Sequence, residues 1–296
     1  MTSVDIVVPT SGRPSLRALL AALYDGDAPL PGQVLVIADD GARGPAAARN
    51  TGWRTSKAEW IAFLDDDVVP TQGWIDRLLD DLRGLAADVA GSQGRIRVPL
   101  PTHRRPTDWE RNVKSLEEAR WATADLAYRR SALEAVGGFD ERFRRAYRED
   151  ADLGLRLTAA GYRIVRGSRV VDHPPGPADP WVSLRLQAGN ADDALMDALH
   201  GPSWRARAGA PRGRFRRHLA VTAAAGLALT AALAGRRRVA TLAAAAYLAG
   251  TAELAWARVA PGPRTAEEIA TMALTSALIP PAAVAYRLAG MARASW

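Results

Sequence analysis

Cysteine is absent from the 296-residue chain. That absence excludes disulfides, thiolate zinc sites and cysteine nucleophiles together. Lysine is nearly absent as well: of the 39 Lys and Arg residues, all but Lys57 and Lys114 are Arg. The formal charge of +7, in a chain rich in Ala and Gly, therefore reads as the bias of a GC-rich coding sequence rather than a nucleic-acid surface, and no nucleic-acid partner is expected. The opening MTSVDIVVPTSGR has no basic stretch followed by an apolar run of about 7–15 residues, so no secretory signal is read and the N-terminal part is expected in the cytosol. No G-x-G-x-x-G follows a strand, which argues against a nicotinamide-dinucleotide site.

What is present is organised around Ile61-Ala-Phe-Leu-Asp-Asp-Asp-Val-Val69, an apolar run suited to a buried strand that ends in three consecutive carboxylates. Asp65, Asp66 and Asp67 repel one another at neutral pH unless a metal, a proton or a basic ligand compensates them. Two strand-helix pairs precede them. Val4–Val8 reads as a strand, Pro9–Pro14 as a turn, and Ser15 as the cap of a helix with Leu16, Leu19, Leu20 and Leu23 on its apolar face. Val34–Ile37 is a second strand ending in Asp39-Asp40-Gly41, and Gly44 opens a second helix. This alternation predicts an α/β fold, a mostly parallel sheet with helices on both faces, whose strand ends bring Thr10, Asp39 and the acidic triplet to one edge.

Further helices are expected at about 72–85, from Ser131, from Glu149 and at about 181–199. Further strands are expected near Val89–Gly91, at 122–128 and at 162–171, the last leading to His173. Residues 94–118 mix Arg, Pro, Thr and His without period and read as a surface loop or flap.

The last third changes character. Leu219–Ala234 is uncharged, 239–257 is apolar except for Glu253, and 269–290 is apolar except for Arg287. At 1.5 Å per residue the first run spans roughly 24 Å against a bilayer core of about 30 Å, so it reads as an interfacial or re-entrant helix and the other two as transmembrane helices. Arg-rich stretches at 214–217 and 236–238 suggest contact with phospholipid headgroups. This reading divides the chain into 1–212 and a helical membrane-associated region 213–296. It puts both ends of that region in the cytoplasm and the loop 258–268 outside. A soluble Ala-rich bundle is the alternative.

Six motifs in order, VVPTSGR (7–13), VIADDG (36–41), GPAAARNTG (44–52), FLDDDVVP (63–70), ATADLAYRRSALEAVGGFDERF (122–143) and REDADLGLRL (148–157), resemble those of the family 2 inverting glycosyltransferases. The resemblance implies the GT-A fold, a Rossmann-like sheet, over about residues 3–200. It implies a nucleotide-sugar donor, UDP-linked before GDP- or dTDP-linked, and a divalent cation, Mn2+ or Mg2+. By the same resemblance Pro9, Thr10, Arg13 and Asp39 belong to the nucleotide site, Arg49 and Asn50 lie near base and ribose, Asp65 and Asp66 face the sugar nucleotide, and Asp67 binds the metal with His173. Asp150 is implied as the general base, so the expectation is an enzyme at the cytoplasmic face of the cell membrane that moves one sugar to a lipid-linked or glycan acceptor.

Physical chemistry is consistent with that allocation, because a diphosphate leaving group needs a hard cation and a sugar hydroxyl needs a base. Two departures stand out. The family often has Asn where this chain has Asp125, which suggests an altered acceptor side, and no Q-x-x-R-W motif follows Glu149-Asp150, which argues against a processive polymerase. Two other readings remain open on the residues alone: a haloacid dehalogenase-type phosphatase with Asp65 as nucleophile and Lys114 as its lysine, and a non-catalytic sugar-nucleotide or lipid-binding scaffold.

Overall fold

A computed structural model describes residues 2–26, 28–39 and 41–294. Asp40, part of the second strand-end motif, lies outside the described residues. The chain forms two compact units. The first holds residues 1–99, 114–176 and 203–210, and the second holds 100–113, 177–202 and 211–296, so the two segments 100–113 and 177–202 group with the C-terminal helices.

The first unit is built on a seven-stranded sheet. In chain order its elements are β1 (Val4–Thr10), α1 (Leu16–Tyr24), β2 (Val34–Ala38), α2 (Gly44–Thr55), β3 (Trp60–Leu64), β4 (Val69–Pro70), α3 (Trp74–Leu82) and β5 (Val89–Arg97). The short helix α4 (Asp108–Lys114) runs through the 100–113 segment. The first unit then continues with β6 (Asp125–Arg129), α5 (Arg130–Val136), α6 (Glu149–Ala159) and β7 (Arg163–Asp172). The sheet order is β2-β1-β3-β6-β5-β7-β4. Every residue of β1 and β3 is buried, as a continuous Val/Ile/Phe/Leu run predicts for central strands covered on both faces.

The sheet is mixed. β1 is parallel to β2 and β3, and β5 is parallel to β7, whereas β6 enters between β3 and β5 antiparallel to both. Alternation along 122–128 cannot reveal that direction, since strand polarity leaves no trace in a period of two. β5 also continues six residues past Gly91, into the stretch expected to be loop, because Arg95, Ile96 and Arg97 pair with Val170, Val171 and Asp172.

Glycine sets one tight contact here. A Cβ on Gly52 would stand 2.3 Å from Val7 Cγ1, so only glycine lets α2 lie this close to β1. That contact fixes the height of α2, and with it Arg49 and Asn50, above the sheet edge.

The second unit contains α7 (Val182–Arg185) and α8 (Gly189–His200), then α10 (Phe215–Leu233), α11 (Arg237–Val259) and α12 (Ala266–Ala294), while the short α9 (Trp204–Ala208) belongs to the first unit. The single helix expected over 181–199 is interrupted by a 3-10 turn at Leu186–Ala188. α12 packs along α8: a Cβ on Gly290 would meet the Ala191 backbone at 2.6 Å, and Arg287 is paired with Asp197. Pro280 and Pro281 interrupt the hydrogen-bond ladder of α12, and the carbonyl of Ala277 that Pro281 leaves without a partner accepts instead from Tyr247 Oη at 3.3 Å.

Arg258 closes the other end. It is buried, donates to Asp108 Oδ2 from Nε at 3.1 Å and Nη2 at 2.8 Å, and donates from Nη1 to Thr275 and Ser276. α11 and α12 are long and apolar enough to cross a membrane by length and composition.

Candidate active site

The parallel strands β2, β1 and β3 end side by side. Past β1, the Thr10 hydroxyl donates to Asp66 Oδ2 at 2.6 Å and accepts from Gly12 N at 3.0 Å, and the Thr10 carbonyl accepts from Asp39 N at 2.7 Å. Pro9 is buried within β1. Asp39 accepts from Gly41 N at 2.9 Å through Oδ1. The turn thus uses the Thr10 hydroxyl internally, and Asp66, only 1% exposed, is the post it is tied to. Asp66 is therefore turned into the loop.

Arg13 reaches across the same turn. Its guanidinium is paired with Asp66 and donates from Nη1 to Asp67 Oδ2 at 2.6 Å. On the other side of Asp67, His173 Nε2 stands 3.4 Å from Oδ1, and the His173 backbone is held by the Arg97 carbonyl, which accepts from His173 N at 2.8 Å. Asp67 Oδ1 and His173 Nδ1 are both buried without a hydrogen-bond partner among the described residues. Burial lifts the Asp67 carboxyl above its ordinary value and the charge of Asp65 adds to the rise, while His173 and Arg13 oppose it.

Arg49 is the hinge of the site. Fully buried on α2, it donates from Nη2 to Asp65 Oδ1 at 2.7 Å and from Nη1 to Glu149 Oε1 at 2.8 Å. One guanidinium therefore ties the end of β3 to the first residue of α6. It holds these carboxylates in register. Asn50 Nδ2 donates to Phe139 O and Glu141 Oε1, both at 2.9 Å, while its Oδ1 accepts from Phe139 N at 2.9 Å and Trp53 Nε1 at 2.8 Å. All four hydrogen-bonding positions are used, and Asn50 pins the Gly137-Gly138-Phe139 turn. Gly138, with φ of 76°, has to be glycine there because a Cβ would stand 2.6 Å from Asn50 Oδ1.

α6 begins with Glu149 and Asp150. Arg148, just before it, has φ of 79° and stacks its guanidinium over the Tyr147 and Trp204 rings, at 4.2 and 4.8 Å from their centroids. Burial pushes Glu149 up to about 8, with Arg49 opposing and Asp150 adding to the rise. Burial also raises Asp150, against the Ala151 N–H that donates to its Oδ1 at 2.6 Å. Tyr128, on β6, was not anticipated. Its buried hydroxyl has no hydrogen-bond partner, and its pKa is raised by burial and then by the charge of Asp150. In the sequence it counts only as an apolar strand position.

Completely buried, Asp125 accepts from Arg169 Nε at 2.7 Å and from Trp74 Nε1 at 2.9 Å, among Asp81 and Ser92, as a core ion pair. Among the described residues no group of three or more His, Asp or Glu is arranged to hold a metal.

Residues 6–148 match the sequence profile of Glycosyl transferase family 2. That segment, just under half of the chain, is similar to the family. Its curated relatives include the pre-mycofactocin glycosyltransferase of Mycobacterium tuberculosis, 35% identical over 133 residues that cover 41% of this chain and 28% of that protein. The glycosyltransferase AglE of Haloferax volcanii is 28% identical over 160 residues, 52% of each chain. The chain thus spans between about a quarter and a half of the length of these relatives. Among solved structures, the mannosyltransferase PcManGT from Pyrobaculum calidifontis, in complex with GDP-Man and Mn2+, superposes with a TM-score of 0.52 at 19% identity, covering 99% of this chain and 87% of that one. This likeness supports the GT-A fold. The phosphatase alternative is not favoured by the family 2 match, and Lys114, the lysine that alternative would use, is paired with Glu117 at 2.8 Å.

Proposed function

We propose that this protein is a metal-dependent inverting glycosyltransferase that moves one sugar per encounter from a nucleotide-diphosphate sugar to a hydroxyl acceptor. The observation that carries the reading is the Asp65–Arg49–Glu149 bridge, which ties the acidic strand end and the helix bearing Asp150 together through one buried guanidinium.

Asp150 accepts the proton of the acceptor hydroxyl as its oxygen attacks the anomeric carbon of the donor. The anomeric C–O bond to the diphosphate breaks on the opposite face, so configuration inverts and the nucleoside diphosphate leaves. A raised Asp150 pKa makes it a stronger base, and the backbone N–H of Ala151 keeps one carboxylate oxygen oriented. Asp39 and the turn tied by Thr10 line the nucleotide side, with Asp65 toward the ribose. Asp67 and His173, each with a buried atom that has no partner among the described residues, would hold a divalent cation, which would supply positive charge against the diphosphate leaving group. Mn2+ is the first choice, since the mannosyltransferase PcManGT was solved with it.

The exposed apolar side chains of α10 and α11, among them Leu229, Leu233, Leu242 and Leu248, suit an in-plane seat on the cytoplasmic membrane face. A lipid-linked acceptor follows from that seat. Calorimetric titration of the full chain with UDP, GDP and dTDP, each with and without Mn2+, tests the donor site. Metal-dependent binding of one nucleotide, lost in Asp67→Ala, is the expected result, and absence of binding under every condition would overturn the proposal.

A further inference from the structure

Two features of the C-terminal third are not used by the proposed reaction: the basic run at 214–217 and Glu253, the lone charged residue between Val239 and Ala257. The structure brings them together. Arg214 Nη2 clasps both oxygens of the Glu253 carboxylate, Oε2 at 2.6 Å, and Arg217 Nη1 donates to Oε1 at 3.0 Å. These groups form the mouth of a cleft of about 450 Å³ between α10, α11 and α12, within the common size range of small-ligand sites, about 300–1,000 Å³. His218 also lines it.

Below the mouth the walls are apolar, with Val221 from α10, Leu254 from α11 and Pro280 from α12. Gly250 sets the width of the cleft: a Cβ there would stand 2.4 Å from Val221 Cγ2 and drive α10 outward. Polar mouth and apolar floor therefore meet within one helical turn.

We propose that this cleft binds the phosphate headgroup of a lipid, with the first part of the hydrocarbon chain against Val221 and Leu254. Two guanidiniums on one carboxylate leave one net positive charge and several N–H donors unused at the mouth. A phosphate matches that remainder better than a second carboxylate does, since it offers more oxygens and more charge to the planar forks. Glu253 stands in for the ligand and is displaced by it. The inference stands on the cleft itself and survives failure of the membrane reading.

The test is titration calorimetry of the full chain, purified in a neutral maltoside detergent, with dodecyl phosphate and separately with inorganic phosphate. Saturable binding of dodecyl phosphate is expected, weakened about tenfold or more in Arg214→Ala/Arg217→Ala and tightened several-fold in Glu253→Gln. Inorganic phosphate should bind far more weakly. Equal binding of both probes would overturn the lipid assignment, and affinity that ignores both variants would overturn the site. Should the double Arg variant misfold, Glu253→Gln alone decides, because a carboxylate that competes with the ligand must weaken binding. Flotation of the unaltered chain with phosphatidylcholine vesicles reads the membrane proposal separately.

Discussion

Arg13 Nη1 lies 2.6 Å from Asp67 Oδ2, so the last carboxylate of the acidic run is neutralised by a cation from the chain itself. Any metal at Asp67 must displace or share that guanidinium. Arg13→Ala is therefore expected to bind Mn2+ alone about threefold more tightly, the modest gain that fits a half-exposed ion pair, and to bind nucleoside diphosphate more weakly. Titration with Mn2+ and then with nucleotide separates the two effects. Unchanged Mn2+ affinity would show that Arg13 is no competitor.

Asp150→Asn should lower turnover by about 10²–10⁴-fold, the usual contribution of a general base, while nucleotide affinity stays as it is. Because burial raises Asp150, the acid limb of the unaltered enzyme's kcat profile should lie above the ordinary aspartate range. Normal turnover in the Asn variant would remove Asp150 from the role of base.

Glu149 makes folding stability depend on pH. The unfolded chain loses this proton near its ordinary value of 4.5 and the folded chain near about 8, so between those values only the folded state holds it. Stability therefore falls as pH rises through that window, by up to about 1.4 kcal/mol per unit, and levels off above it. Glu149→Gln keeps an acceptor for Arg49 but cannot ionise. Its urea midpoint should fall less between pH 5 and 8, with the remaining slope due in part to Asp150, raised in the same direction. Parallel slopes in the two proteins would show that Glu149 is ionised in the folded state.

The first three strands and the residues at their ends were legible because long apolar runs and turn chemistry are local signals. Thr10, Asp39 and Asp65–Asp67 do share one sheet edge. The partners of those residues were not legible, since Arg49–Glu149 is a contact across 100 positions and nothing in GPAAARNTG says which way an arginine points. Asn50 illustrates the same limit: a motif position places a residue near the site, but only geometry shows that its amide is fully used. The C-terminal helices were found by hydropathy within a few residues.

Asn50→Ala should destabilise the first unit by about 3 kcal/mol, roughly 1 kcal/mol for each buried bond lost less what the turn recovers by relaxing. If Asn50 were a nucleotide ligand, the variant would instead lose nucleotide affinity at unchanged stability. Urea denaturation and nucleotide titration of the same preparation distinguish the two.

Asp125→Asn restores the residue more usual in the family, yet here it should be harmful. Arg169 is completely buried, and Asp125 is one of the two carboxylates that compensate its charge, the other being Asp81 at 3.1 Å. Burial pushes Asp125 up and Arg169 opposes that rise, as befits a carboxylate held in the core by one cation. Removing its charge leaves the guanidinium undercompensated in a site that water does not reach, at a cost of about 3 kcal/mol. Asp125→Asn combined with Arg169→Met should recover part of this, because the uncompensated charge leaves with the arginine. Acceptor preference should be the same in the single variant and the unaltered enzyme. A change of acceptor without loss of stability would return Asp125 to the acceptor side of the site.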